Sequence, residues 1–292
     1  VLLGTKVMVP IDGPVRENVG LLGSPAFEIP RMVDSDKTLI GALDEAGRRR
    51  RLKRKNRHNL VTASLFLLSH WFVLFVSLSI WDAALDLYFD YGAMALFGAT
   101  FVTALFMVAF YACVERASLG FRRLVPRVAT IYDPAFWDHE RHWKLSDSPI
   151  TRLFPGTPFR NIVLRMIGVK VGRRVWDGGC IITERTLTEI GDHANLNEAS
   201  VIQSHSLEEG AFKSDVIRIG AGCTLGPAAF VHYGVTMEER SVLDADAFLM
   251  KGETVEAFGV WRGNPAKLHR RLRPVEATAP APVRISASHA NA

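Results

Sequence analysis

The stretch from Ile219 to Leu249, IGAGCTLGPAAFVHYGVTMEERSVLDADAFL, decides the fold of this 292-residue chain. An aliphatic side chain or methionine stands at every sixth position, and a small or short side chain follows four places after each of the first five. The sixth-position residues are Ile219, Leu225, Val231, Met237, Leu243 and Leu249, and the small ones are Cys223, Ala229, Val235, Ser241 and Ala247. Helices repeat about every 3.6 residues and strands about every 2, so this period indicates a hexapeptide repeat. We predict an all-β, left-handed parallel β-helix, in which three six-residue faces make one triangular coil and stacked coils bury a continuous core.

The same phase is present earlier in the chain, but an interruption separates the two runs. Ile190, Leu196 and Ile202 are six residues apart, whereas the step from Ile202 to Ile219 is 17. The segment from Gln203 to Arg218 should therefore leave the helix as an excursion loop. Loops that project from a rigid solenoid are a usual place for binding groups.

Two apolar runs precede the repeat. Leu60 to Ile80 and Ala93 to Val114 contain no Asp, Glu, Lys or Arg, and each matches the roughly 20 residues that a helix needs to cross a bilayer. They predict a two-helix transmembrane hairpin, with Trp81 to Gly92 as its short connecting loop. The alternative, a pair of buried helices in a soluble core, would be unusual at this length without charges. His70 in the first run is predicted to hydrogen-bond the partner helix.

The charges that flank the two runs predict an orientation. Eight of the 35 Lys and Arg lie between Arg48 and Arg57, and more follow the second run from Arg116 to Arg127, whereas Trp81 to Gly92 has none. Cationic flanks stay on the cytoplasmic side. We expect a multi-pass protein of the bacterial cytoplasmic (inner) membrane, with both termini and the β-helix in the cytoplasm and the lipid bilayer as a partner.

Composition excludes some functions. The formal charge of +5 is local to the flank before the first span, so no nucleic acid partner is expected. The three cysteines, Cys113, Cys180 and Cys223, form no metal-ligand spacing, so no metal site is predicted.

A longer repeat links the two ends of the chain. Val1 to Ala26 resembles Val242 to Ala266, at an almost constant displacement along the sequence. The chain therefore resembles the last coil of an upstream copy followed by one complete copy, as if cut from a longer protein. Because roughly three repeats are needed to bury a core, we expect the segment 1–30 to pack poorly.

These patterns divide the chain into six parts. They are 1–30, the last coil of a truncated upstream β-helix; 31–58, a basic linker; 59–115, the transmembrane hairpin; 116–164, a juxtamembrane and capping segment; 165–272, the β-helix; and 273–292, a disordered tail. The Trp137-Asp-His139-Glu140-Arg-His-Trp143 cluster is predicted to cap the first coil.

Several motifs carry a resemblance to known families. The Gly263-Asn-Pro-Ala-Lys267 closure after a hexapeptide array resembles the maltose, galactoside and serine acetyltransferase superfamily. Four further motifs resemble the C-terminal region of membrane-bound nonribosomal peptide synthetases of the ε-poly-lysine synthetase type. They are Tyr132-Asp-Pro-Ala-Phe-Trp-Asp-His-Glu-Arg-His-Trp-Lys144, Asp177-Gly-Gly-Cys-Ile-Ile-Thr-Glu-Arg-Thr186, His205-Ser with Phe212-Lys-Ser-Asp215, and Leu243-Asp-Ala-Asp-Ala-Phe-Leu-Met-Lys-Gly252.

The resemblance implies a site. His205, just before the excursion, would be the general base; Asp177 replaces an Asn that contacts acceptor and oxyanion, and Glu184 matches an acidic residue. A carboxylate at 177 would oppose a developing oxyanion but would suit a cationic acceptor. Arg262, Asn264 and Lys267 would hold the phosphates of a phosphopantetheine arm on a carrier domain, or of CoA. For His205 the residues alone leave open a loop histidine that caps a turn, and for Gly263 to Ala266 a chain exit from the last coil.

The resemblance also implies an activity and partners. A carrier-bound aminoacyl thioester would be transferred to an amine to form an amide bond, with carrier and adenylation domains as partners. Neighbouring tandem β-helix domains would assemble as a pseudo-trimer or homo-oligomer. The alternatives are an acetyl-CoA-dependent O- or N-acetyltransferase and a non-catalytic β-helix scaffold. The sequence does not identify the amino acid.

Overall fold

A computed structural model describes residues 1–14, 16–30, 34–41, 43–146, 150 and 153–273 of the chain. The predicted tail lies, from residue 274 onward, outside the described residues. Five α-helices are present in the described part, together with a short 3-10 helix at Arg185–Leu187. The α-helices are α1 (Asp34–Gly41), α2 (Glu45–Tyr91), α3 (Ala93–Ser118), α4 (Pro134–Ser146) and α5 (Pro158–Met166).

The loop predicted between the two apolar runs is part of helix α2 in the structure. The helix continues without interruption through Trp81 to Tyr91, and only Gly92 separates it from α3. The segment contains neither Gly nor Pro, so nothing in it breaks a helix. Gly92 has φ 57°, a left-handed conformation that glycine adopts without steric cost. The connection is therefore a one-residue turn.

Helices α2 and α3 lie side by side and are apolar and long enough to cross a membrane, by length and composition. Phe72 of α2 packs against Phe110 of α3, with ring centroids 5.4 Å apart. Few side chains in either apolar stretch are buried. His70 contacts the carbonyl oxygen of Phe66 in its own helix (2.9 Å), so the predicted bond to the partner helix is replaced by a local one.

The region after α5 forms three parallel sheets around one core, which we call the solenoid. Its first face contains β5 (Lys170–Val171), β8 (Thr188–Ile190), β13 (Ile217–Ile219), β16 (Thr236–Met237) and β19 (Thr254–Val255). Its second face contains β6 (Trp176–Asp177), β9 (Asn195–Leu196), β14 (Thr224–Leu225), β17 (Val242–Leu243) and β20 (Gly259–Arg262), closed by the antiparallel β21 (Lys267–Arg271). Its third face contains β7 (Ile181–Ile182), β10 (Val201–Gln203), β15 (Phe230–His232) and β18 (Phe248–Leu249).

The register of the sheets follows the predicted period. Leu225 pairs with Leu243 and Val231 with Leu249, in each case three hexapeptides further along the chain. The predicted core positions are buried: Leu225, Leu243 and Leu249 are each 0% exposed. One residue per hexapeptide has a left-handed backbone at the corner of the coil, as at Ala228, Gly234 and Arg240. The repeat and its core are thus confirmed.

The excursion is a hairpin and not an irregular loop. Strands β11 (His205–Glu208) and β12 (Ala211–Ser214) pair in antiparallel fashion, and β12 also pairs with β4 (Arg127–Thr130). Leu196 pairs with Leu225 across this interruption, so the excursion lengthens one coil beyond its regular three hexapeptides without breaking the stack. Pairing with β4 gives the backbone groups of the excursion their hydrogen-bond partners.

The segment 1–30 also forms strands, which we call the stub: β1 (Leu2–Leu3), β2 (Val19–Leu22) and β3 (Phe27–Pro30). Strand β1 is parallel to β2 and β2 is antiparallel to β3, as for β17, β20 and β21. Leu22 packs against Phe230 and Phe248 on the third face of the solenoid. The expectation that this segment would pack poorly is met in part: Leu21 and Leu22 are buried, the latter against the complete copy, whereas Met8, Ile11 and Phe27 remain exposed.

Candidate functional site

The winding of the solenoid brings two predicted site residues together. Glu184 follows β7 and His205 follows β10, so both lie at the corner between the third and first faces in successive coils. The backbone N–H of Thr183 donates to the carbonyl of Ile202 (3.1 Å), which holds the two corners in register. The excursion leaves the solenoid at this same corner.

Glu184 and His205 are in direct contact. Nδ1 of His205 lies 2.7 Å from Oε1 of Glu184, whose side chain is fully buried. Thr183 Oγ1 donates to the other carboxylate oxygen, Oε2, at 2.5 Å. The carboxylate is thus in contact at both oxygens, and its contact with Nδ1 of His205 is a close charge contact whose angles are not those of a hydrogen bond.

Helix α4 contributes two more groups to this carboxylate. Nε1–H of Trp143 donates to Oε1 of Glu184 at 2.7 Å, and Nε2 of His139 lies 3.4 Å from the same atom. His139 and Trp143 are four residues apart, so they share one face of the helix. Sequence reasoning favoured capping of the first coil over a chemical role for this cluster. The only signal in the sequence was the spacing of a His and a Trp at i and i+4, which does not show that this helix face lies beside the excursion.

Opposing effects act on the pKa of Glu184. Burial alone would raise it, because the charged form loses its hydration. The contacts from His139, His205 and Thr183 outweigh burial and hold the pKa of Glu184 well below its ordinary range. Glu184 is therefore a carboxylate at neutral pH and can stabilise a protonated imidazole beside it.

His205 is placed for proton transfer. Its side chain is 19% exposed, and the ring of Trp143 lies 4.6 Å from its own, centroid to centroid. Because Nδ1 faces Glu184, Nε2 is the nitrogen that faces away from the carboxylate. An imidazole oriented in this way can accept a proton at Nε2 and return it.

Asp177 lies at a different corner, between the second and third faces. Its Oδ2 accepts from Nε of the buried Arg160 at 2.7 Å, and its Oδ1 accepts from the backbone N–H of Gly179 (3.0 Å) and Cys180 (2.7 Å). The carboxylate therefore stabilises a turn and a buried ion pair. The structure does not group Asp177 with His205.

The predicted phosphate ligands are engaged elsewhere. The guanidinium of Arg262 binds Oδ2 of Asp244 (2.7 Å), and the amide of Asn264 donates to the carbonyl of Lys6 in the stub (2.6 Å). Lys267 is exposed at the start of β21. Two of the three side chains are thus bound to other protein groups.

A cavity of about 510 Å³ lies between the stub and the solenoid, and His205 is not among the residues that line it. Gln203 and Ser206, which flank His205, line it together with Leu22, Phe248 and His232. The buried Oγ of Ser206 has no hydrogen-bond partner within the described residues. Burial, followed by the positive charge of Lys251, lowers the pKa of His232 to about 4, so this histidine is neutral at physiological pH.

The solenoid cysteines have no place in this site. Cys180 and Cys223 are buried, and burial, followed by the charge of Asp177, raises the pKa of the Cys180 thiol to about 12. A thiol in such surroundings is inert as a nucleophile. The interpretation of both as core residues agrees with this placement.

Comparisons with known proteins find several similar chains. No family model matches. A delta-poly-L-ornithine synthetase of Acinetobacter baumannii is 25% identical over 272 residues, which cover 91% of this chain and 20% of that protein. This chain thus spans about a fifth of the length of that relative.

Solved structures are similar at lower identity. A maltose O-acetyltransferase from Clostridium difficile 630 shares 16% identity with a TM-score of 0.39, covering 55% of this chain and 97% of that one. A galactoside acetyltransferase in complex with coenzyme A shares 16% identity with a TM-score of 0.40, covering 55% and 90%.

Proposed function

We propose that this chain is a membrane-anchored, acyltransferase-like domain of a nonribosomal peptide synthetase, which transfers a carrier-bound aminoacyl thioester to an amine and forms an amide bond. The observation that carries the proposal is the contact between Nδ1 of His205 and the buried, ionised carboxylate of Glu184. A cavity between the stub and the solenoid is lined by Gln203 and Ser206, which lie on either side of His205 in the chain, although His205 itself does not line it. The similarity to a delta-poly-L-ornithine synthetase, which covers the helices and the solenoid, supports it.

The proposed reaction needs one proton acceptor that later becomes a donor. The amine nitrogen attacks the thioester carbonyl, the new C–N bond forms, and Nε2 of His205 takes the proton that the nitrogen loses. The C–S bond then breaks, and Nε2 returns the proton to the leaving thiolate. Glu184 stabilises the imidazolium between the two steps. General acid-base help of this kind contributes about 100 to 10,000-fold to a rate.

The membrane and fold assignments belong to the same proposal. The solenoid is a left-handed parallel β-helix, and α2 and α3 form a transmembrane hairpin in the bacterial cytoplasmic membrane. Basic residues flank both apolar stretches on the side of the solenoid, which supports a cytoplasmic position for the solenoid and both termini.

The partners are the carrier and adenylation domains of a parent synthetase and neighbouring solenoid copies. The docked stub supports contact between tandem copies, and we extend it to a pseudo-trimer within one parent chain. The carrier's phosphopantetheine arm would deliver the thioester as substrate. Because Arg262 and Asn264 bind other groups, the proposal assigns them no phosphate.

The test compares amide formation by the intact parent synthetase in membranes, with its carrier domain aminoacylated. His205→Ala should lower the rate about a hundredfold or more. The matched control is His269→Ala, an exposed histidine on β21, which should keep the wild-type rate. An unchanged rate in His205→Ala would reject catalysis at this site and leave the domain as a scaffold.

A further inference from the structure

We propose that Trp143 and His139 are positioning residues: they hold the Glu184 carboxylate against His205, so that helix α4, and through it the paired helices α2 and α3, forms part of the site. The inference rests on the proposed function for its consequence in catalysis. Its structural part is that these two side chains keep the Glu184 carboxylate in place.

A buried carboxylate needs donors. Glu184 is 0% exposed, and an ionised group without hydrogen-bond partners in such a place would cost several kcal/mol. Its contacts within the described residues come from Thr183 and His205 in the solenoid and from Trp143 and His139 in α4. Helix α4 thus provides two of the four groups on this carboxylate.

Helix α4 is itself fastened to α2. His58 contacts the carbonyl oxygen of Trp137 (3.1 Å), and Nε of Arg141 donates to Oγ1 of Thr62 (3.0 Å). Lys55 lies 3.1 Å from the carboxylate of Glu140. The three α2 residues follow one face of the helix, so α2 docks α4 along about two turns.

A second set of contacts joins the site to the end of α3. Oγ of Ser118 lies 2.8 Å from Nδ1 of His142, in α4. Arg185, the neighbour of Glu184 in the chain, binds the buried Glu115 at 3.2 Å. The corner that carries Glu184 is therefore attached to α3 directly and through α4.

The loss of an α4 donor has a defined electrostatic consequence. Trp143 stabilises the negative charge on Glu184, so its removal increases the affinity of the Glu184–His205 pair for a proton, whichever of the two carries it. The other titratable groups near the pair, within the described residues, are His139 and His142 from α4 and His232 from the next coil, with Lys251 behind it. None of these changes in Trp143→Phe.

The experiment compares two tryptophans of one helix. Nε1–H of Trp143 donates to Glu184, whereas that of Trp137 donates to the carbonyl of Ile131 (2.8 Å). Both Trp→Phe variants lose one buried hydrogen bond and keep an aromatic ring. In the full chain in membranes, modification of His205 by diethyl pyrocarbonate is followed by mass spectrometry as a function of pH.

The midpoint of His205 modification should move to higher pH by about half a unit or more in Trp143→Phe and stay in place in Trp137→Phe. In the parent synthetase, Trp143→Phe should lower kcat about tenfold at nearly unchanged KM, as expected for a lost hydrogen bond to a charged group. His139→Gln, whose amide can still donate, should retain more activity than His139→Leu.

Equal midpoints in the two tryptophan variants would overturn the inference, whatever the activities are. If His205→Ala also kept full activity, the proposed function would fail separately, since the modification midpoint does not depend on turnover. Full loss in His205→Ala with wild-type kcat in Trp143→Phe would reject only the role of α4.

Discussion

Lys6 and Asp246 occupy equivalent positions in the two copies of the repeat, and they bind each other: Nζ lies 2.6 Å from Oδ1. Both residues have a left-handed backbone with φ 57°. Ser24 and Asn264, which are separated by the same stretch of sequence, form an antiparallel bridge next to this pair. The two copies thus contact each other through the same positions of the repeat.

This docking predicts a disulfide. The backbone N–H of Ser24 donates to the carbonyl of Asn264 at 2.8 Å, and directly paired strand residues are about 5.5 Å apart at Cα, within the range that a disulfide bridges. With Cys113 replaced by Ala, the pair Ser24→Cys and Asn264→Cys should cross-link on mild oxidation. Ser24→Cys with His269→Cys is the control, and equal cross-linking of both pairs would contradict the docked position of the stub.

Substitution of Asp177 should affect stability more than chemistry. Asp177→Asn leaves the buried guanidinium of Arg160 without its carboxylate, and breaking a buried ion pair in this way costs about 3 to 5 kcal/mol. We expect a clear drop in the midpoint of thermal unfolding followed by circular dichroism. Asp244→Asn, which breaks the exposed pair with Arg262, should change the midpoint little. An unchanged midpoint in Asp177→Asn would instead favour a direct role in acceptor binding.

His142 should make folding stability depend on pH. Burial, followed by the charge of Arg185, lowers the pKa of His142 in the folded chain to about 3, from an ordinary value of 6.5. Between pH 6.5 and 3, His142 therefore binds a proton in the unfolded chain but stays neutral in the folded chain. The contribution to stability is complete above pH 6.5 and declines as the pH falls from 6.5 towards 3.

The measurement is the free energy of unfolding by denaturant between pH 6.5 and 5. Each such histidine should add a slope of up to about 1.4 kcal/mol per pH unit, and His232, with a pKa lowered to about 4, acts in the same direction. His142→Gln should flatten the slope, whereas His269→Gln should leave it unchanged. A slope that stays as steep in His142→Gln would show that this residue is not buried in its neutral form.

The proposed orientation in a membrane predicts opposite labelling of the two ends of α2. With Cys113 replaced by Ala, Asp90→Cys, next to the turn at Gly92, should react with an impermeant maleimide added to intact cells. Arg57→Cys, before the first apolar stretch, should react only in inverted vesicles. Labelling of Arg57→Cys in intact cells would reverse the topology.

Short-range patterns predicted the solenoid well. The core positions from Ile219 to Leu249 could be assigned because burial recurs at a fixed interval, and each hexapeptide repeats the same local geometry. The contact between His205 and Glu184 follows from the same geometry, since both lie at one corner in successive coils. The hexapeptide repeat was therefore accessible from the sequence, whereas His205 and Glu184 were named from a resemblance and their contact was not predicted.

Other features depend on tertiary packing that no local pattern encodes. Trp143 and His139 reach Glu184 from 41 and 45 positions earlier in the chain, and only the docking of α4 brings them there. Asp177 was expected at the acceptor, but its partner Arg160 lies on a separate helix. The stub was expected to pack poorly because a single coil cannot bury a core of its own. In the structure, Leu22 of the stub packs against Phe230 and Phe248 of the complete copy.

Helix α2 is unbroken, so it fixes the distances between the groups along its axis. One helix contains the residues that dock α4, the apolar stretch that begins at Leu60, and the far end at Tyr91. His58, which contacts α4, is only about 3 Å along the axis from Leu60 at a rise of about 1.5 Å per residue. If the apolar stretch is embedded as proposed, the distance between α4 and the bilayer surface is fixed by the rise of this one continuous helix. A product made at His205 would then leave at a constant, short distance from the lipid surface.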